Sequence, residues 1–251
     1  MSPVQLRTVK LCKRFGGLAA VSDISIEVRP REIHALIGPN GAGKSTLINL
    51  LSGELRPTSG SIYIDGRETT NCTAYQVSQS GIGRTYQKTN IFLPFTVFEN
   101  ARLATQSRLP TSMRFIRDAS RNEFLNERAR AALAAAGLNH RAERIASTLS
   151  HGEQRQLEVA MCLATAPSVL LLDEPLAGMG ADDSALMVEL LKRLAHNHGI
   201  LLVEHDMDAV FQVADRITVL VNGQQLESGT PSDIRNSAAV HSAYLGNDDH
   251  A

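Results

Sequence analysis

The sequence predicts an α/β fold. A parallel sheet with crossover helices carries an antiparallel β-subdomain and an inserted α-helical subdomain. Three observations predict it. In the first third an apolar strand runs through a glycine-rich loop straight into a helix. The middle third is rich in Ala, Arg, Glu and Leu, the strong helix formers. In the last third short apolar runs alternate with helix-length segments, the pattern of parallel strands with crossovers.

Residues 24–29 alternate apolar and polar, the period of a half-buried strand, and Pro30 breaks it. Ile33–Ile37 is more uniformly apolar and reads as a buried strand. It feeds the loop 38–43 and a helix over Lys44–Leu51, closed by Gly53. A turn at 57–60 leads to a strand over 61–65. Helices are predicted over 121–136, stopped by Gly137, and over about 152–166, stopped by Pro167, with Pro110, Ser112 and Met113 marking a loop between helices. Strands follow at 169–172, 200–203 and 217–221, with helices at 181–197 and Met207–Val213 between them. Asn222-Gly223 is a tight hairpin turn. The expected division is a core with its β-subdomain over 1–87 and 164–240, a helical subdomain over 88–163, and a C-terminal tail over 241–251, polar from Gly246.

The 251 residues allow one large domain or two small lobes, at roughly 150 residues per domain. Apolar residues make up 43% and charged residues 20%, which suits a globular chain and not a disordered one. The 25 basic and 26 acidic residues leave a net charge of −1. That argues against a broad nucleic-acid-binding face. No run approaches the ~20 apolar residues that span a bilayer, and residues 1–10 lack the apolar core of a secretory signal. Cys12, Cys72 and Cys162 are odd in number and far apart, so they read as reduced thiols of a cytoplasmic protein.

Two motifs carry chemistry. Gly38-Pro39-Asn40-Gly41-Ala42-Gly43-Lys44-Ser45-Thr46 fits G-x-x-x-x-G-K-[ST]. Its glycines let successive N–H groups turn in around a phosphate, and the following helix adds its positive end. Lys44 reaches the β- and γ-phosphates, and the Ser45 hydroxyl suits Mg²⁺. The apolar run 169–172 ends in Asp173-Glu174 at the edge where α/β sheets bind ligands. Asp173 is placed to hold Mg²⁺ through water, and Glu174 to orient or deprotonate the attacking water.

With a third motif these residues resemble the ATP-binding cassette (ABC) family and its phosphate-loop (P-loop NTPase, RecA-like) core. Leu149-Ser150-His151-Gly152-Glu153 resembles the family signature, with His151 in place of a Gly and Glu153 in place of a Gln. The same residues form a helix-capping box, Ser150-x-x-Glu153. Residues 83–87 resemble the Q-loop, which implies that Gln87 senses Mg²⁺ and the nucleophilic water. Glu204-His205-Asp206 resembles the switch loop, which implies a hydrogen bond from His205 to the γ-phosphate. Phe15 stands where the family stacks an aromatic on adenine. The resemblance is finest to the branched-chain amino acid (LivG-like) branch, on residues 14–21, 177–179, 204–207 and 243–246.

The resemblance implies an ATPase subunit that energises solute uptake. It implies ATP and Mg²⁺ as cofactors, and a head-to-tail dimer with an identical or homologous ATPase in which Ser150 and Gly152 face the partner's nucleotide. It further implies separate transmembrane permeases, a solute-binding protein met indirectly, and a place on the inner face of the membrane. The other readings are the ATPase of an exporter or lipid-transport system, and a soluble non-transport ATPase. Two positions depart from the family: Gly180 lacks the usual Asp or Asn, and Arg31 stands where a turn usually has Gly.

Overall fold

The computed structural model describes residues 4–86, 90–108 and 121–245. The chain forms two compact units: Met1–Arg84 with Ser168–Glu174 and Ala195–Ala251, and Thr85–Pro167 with Pro175–Leu194. Residues 175–194, expected in the core, group with the helical unit.

In the core unit, β1 (Leu6–Phe15), β2 (Leu18–Ile24), β3 (Glu27–Val28), β5 (Ser59–Ile64) and β6 (Arg67–Glu68) make an antiparallel sheet. The single strand expected over 24–29 is broken between β2 and β3. The buried Thr8 hydroxyl donates to Ile24 O at 3.0 Å and accepts from Ile26 N at 2.9 Å, so a side chain replaces the ladder there.

The second sheet has the order β11-β10-β4-β9-β8-β7. Its strands are β4 (Ile33–Ile37), β7 (Ile82–Arg84), β8 (Val169–Asp173), β9 (Gly199–Val203), β10 (Arg216–Val221) and β11 (Gln224–Gly229). All neighbours are parallel except β10 and β11, which form the hairpin read at Asn222-Gly223. Strands β4, β8 and β9 are buried along their whole length, which is why their sequences are continuously apolar and not alternating. The one polar side chain in β4, His34, is satisfied by Glu27 O and the Thr218 hydroxyl, each at 2.8 Å, and burial pushes its pKa down to about 4.

The core unit also holds α1 (Lys44–Leu51), α2 (Ala74–Gln79), α7 (Met207–Val213), α8 (Pro231–Arg235) and α9 (Ala238–Leu245). The last helix corrects the expected tail from 241. Ser237 accepts from Val240 N through its hydroxyl and from His241 N through its carbonyl, and so starts a helix that runs to Leu245. Arg31 has φ +61, so the turn before β4 does carry a side chain on a left-handed backbone.

The helical unit packs α3 (Val97–Gln106), α4 (Glu123–Ala135) and α5 (His151–Ala164) around Val97, Ala101, Ala129, Leu133, Leu157 and Ala160. Thr96 with Glu99 caps α3, Asn122 caps α4, and Gly137 at φ +79 ends α4 as expected. Helix α6 (Ala181–Ala195) completes the unit. The loop read at Pro110, Ser112 and Met113 lies outside the described residues. No helix among the described residues is long and apolar enough to cross a membrane.

Candidate active site

Strand register assembles the core half of the site. Leu36 of β4 and Asp173 of β8 both lie opposite Val203 of β9. Three neighbouring parallel strands therefore end together. The phosphate loop, the Asp173-Glu174 pair and the Glu204-His205 pair leave the sheet from that one edge, where ligands bind in such sheets.

Gly43 at φ +101 is the N-cap of α1, and it supplies no side chain to cap it. The first turn of α1 also lacks an acidic residue. Its N–H groups are thus left for an anion. Lys44 is buried and donates to Gly38 O at 2.5 Å and Pro39 O at 3.0 Å, folded back over its own loop. Burial pushes the ammonium pKa down, and Glu174 and Asp173 oppose the shift. Ser45 is exposed at the helix start.

Asp173 is buried, and burial pushes its carboxyl pKa up; Arg84 opposes, Glu174 adds, and Lys44 opposes. Arg84 lies 3.8 Å from Asp173 and 3.2 Å from Glu54, and donates to the Ser52 hydroxyl at 2.7 Å. Arg84 belongs to the 83–87 motif, and the pairing of β7 with β8 brings it to Asp173. Glu174 sits on a left-handed backbone, φ +50, and its N–H still donates to Val203 O at 2.8 Å. That bond pins the carboxylate just past the strand end. His205 is exposed, with Nδ1 3.9 Å from Glu174 and 3.8 Å from Glu204. Glu204 is fully buried and accepts from His205 N at 3.2 Å. Phe15 ends β1 opposite Leu18, 47% exposed, with Lys13 Nζ 5.0 Å over its ring. It is an open aromatic face and not a core side chain.

The signature residues lie in the helical unit. Ser150 caps α5, and the capping box with Glu153 is complete: Glu153 N donates to the Ser150 hydroxyl at 3.2 Å and Ser150 N to Glu153 at 3.0 Å. Arg141 donates to the same carboxylate at 2.8 Å. Burial works against the charged carboxylate, but the Ser150 N–H and Arg141 prevail and hold its pKa down. Gly152 is buried, and a Cβ there would stand 2.6 Å from the Asp183 carboxylate. Further along α5, Arg155 and Glu158 form a buried pair at 2.9 Å. Arg155 donates to Tyr86 O at 3.1 Å, and Glu158 accepts from Asn90 N at 2.7 Å. Gln87 lies outside the described residues.

The core half fits a magnesium–nucleotide. It offers uncapped N–H donors and a lysine already in the cradle. An exposed hydroxyl, Ser45, stands on one side, and the buried Asp173 carboxylate on the other. Strand, loop, uncapped helix and strand-end carboxylates define a phosphate-loop nucleoside triphosphatase.

The chain belongs to the ABC transporter family, whose model matches residues 21–177. It is an ATPase of that family. It is 42% identical to the high-affinity branched-chain amino acid transport ATP-binding protein LivG of Salmonella typhimurium, over 98% of this chain and 99% of that one. It is 37% identical to BraF, the protein of the same description in Pseudomonas aeruginosa, over 98% and 99%. Among solved structures it resembles the ADP conformation of an ATP-binding cassette of an ABC transporter. The TM-score is 0.86 at 28% identity, over 97% of this chain and 99% of the other. A nucleotide-free cassette gives 0.85 at 28%, over 96% and 98%.

Proposed function

We propose that this chain is the ATP-binding and hydrolysing subunit of an ABC importer, energising uptake of branched-chain amino acids or similar small solutes through separate membrane permeases. The observation that carries the solute class is the likeness to LivG and BraF at 37–42% identity over nearly the whole of each chain.

In this reading ATP stacks its adenine on Phe15 and places its phosphates on residues 38–46. Lys44 leaves its loop carbonyls for the β- and γ-phosphates. Ser45 and Asp173, with Gln87, would hold Mg²⁺, which supplies charge neutralisation at the phosphates when bound. Glu174 takes the proton of the attacking water, and His205 donates to the γ-phosphate. Ser150 and Gly152 offer the start of α5 to the nucleotide on a second cassette, head to tail. Closure then requires ATP, and loss of the γ-phosphate reopens the pair. The core and the helical subdomain divide these tasks, with the permease docking near Gln87 on the inner face of the membrane. A solute-binding protein enters only through the permease.

The test is recovery of this chain from gently solubilised native membranes, with mass spectrometry of what accompanies it. Multispanning permeases and a second cassette are expected. Recovery only with ribosomes or soluble factors would leave the ATPase standing and end the transport reading.

A further inference from the structure

The Asn222-Gly223 turn does more than join β10 to β11. Gly223 N donates to Ala42 O in the phosphate loop at 3.0 Å, and Ser22 N of β2 donates to Gly223 O at 2.7 Å. Gly223 therefore bridges the loop and the β-subdomain by its backbone alone. The approach leaves no room for a side chain: a Cβ on Gly223 would lie 2.7 Å from Ala20 O and 2.9 Å from Ala20 C. The Ala20 carbonyl is also what a Cβ on Gly43 would strike, and that Cβ would stand 3.4 Å from Gly223 Cα. Three segments thus meet at one point: β2, the last glycine of the phosphate loop, and this turn.

We propose that Gly223 is a positioning residue for the phosphate loop, and that through Ala20 and Ser22 it ties the loop's grip on phosphate to the hairpin carrying Phe15. The bond from Gly223 to the Ala42 carbonyl fixes the orientation of the peptide just before Gly43, the N-cap of α1. Strand β2, which receives the other side of Gly223, begins at Leu18 beside Phe15. Adenine and phosphate then press on opposite ends of one short backbone strut.

The molecule contains its own control. Asp65-Gly66, the turn between β5 and β6, has the same backbone: φ +46 and +77, against +50 and +76 at Asn222-Gly223. A Cβ on Gly66 meets nothing within 4 Å. Gly66→Ala and Gly223→Ala therefore impose similar backbone strain, and only the second adds the collision with Ala20.

The proposal rests on the loop being the ATP site, so wild type and Lys44→Ala are measured alongside. Binding of a fluorescent ATP analogue is the readout, with KM and kcat for ATP. Gly223→Ala should weaken binding at least about tenfold and raise KM more than it lowers kcat; Gly66→Ala should stay within about twofold of wild type. Wild-type affinity in Gly223→Ala, or an equal loss in Gly66→Ala, overturns the positioning role. A wild type that binds no ATP overturns the site itself. Should Gly223→Ala not fold, amide hydrogen exchange on wild type decides. A non-hydrolysed ATP analogue should slow exchange at Ser22 and Gly223 and leave Gly66 unchanged. No change at Ser22 and Gly223 refutes the strut.

Discussion

In the proposed mechanism two helix starts are offered to phosphate, and they are built in opposite ways. Helix α1 begins at Gly43 with no side-chain cap and no acid in its first turn. Helix α5 begins at Ser150 inside a closed capping box, with Glu153 in its first turn, Arg141 on that carboxylate and Asp183 against Gly152. The first leaves its donors unsatisfied and must find an anion or water. The second is already at rest, and its positive end is partly cancelled by the Glu153 charge. The contrast explains a division of labour. A bare helix start with a lysine beside it binds nucleotide within one chain. In the proposed mechanism the capped start adds a smaller increment, when a second cassette delivers a phosphate to it.

The largest effect should come from the chemistry beside the bare start. Glu174→Gln should lower phosphate release at least about 100-fold while ATP binding persists, because it removes a general base and keeps the shape. Turnover at the wild-type rate would refute the assignment of the base. Lys44→Ala comes next: losing a charge-assisted contact to phosphate should weaken ATP binding by at least about tenfold in the isolated chain. Retained tight binding would undo the phosphate-loop role of Lys44. The smallest effect should be Ser150→Ala. It removes an N-cap worth about 1 kcal/mol of helix stability and should leave ATP binding by the separated chain unchanged. The change should be visible as a lower melting temperature and weaker ATP-driven dimerisation of Glu174→Gln. A loss of monomer ATP affinity equal to that of Lys44→Ala would erase the distinction between the two helix starts.

Much of this was legible in the sequence wherever one local signal decides the structure. Helices α1 and α7 fall on their predicted bounds, and β4, β8, β9 and β10 within a residue of theirs, because buried parallel strands are apolar throughout and the phosphate loop sets its own helix. Strand β1 was not read. Its ten residues, Leu6–Phe15, mix charges with apolar positions, and its pairing shifts register on the way. Helix α3 is implied only as a helix ahead of the loop at Pro110, without bounds, although Thr96 and Glu99 form a capping box at its start. In the site, residues belonging to a contiguous motif were found. Arg84 stands inside the 83–87 motif and Gly223 in the predicted turn, but their contacts with Asp173 and Ala42 arise from pairings between segments distant in sequence, of which spacing along the chain carries no trace.

Glu174 carries a left-handed backbone that glycine would occupy at no steric cost, a difference of about 1 kcal/mol. The position is therefore fitted for two competing residues, one for the fold and one for the chemistry. With the catalytic role proposed for Glu174, a search that selects hardier forms of this protein by heat alone would favour glycine there and collect folded, inactive chains. The carboxylate endures only where turnover itself is what is selected.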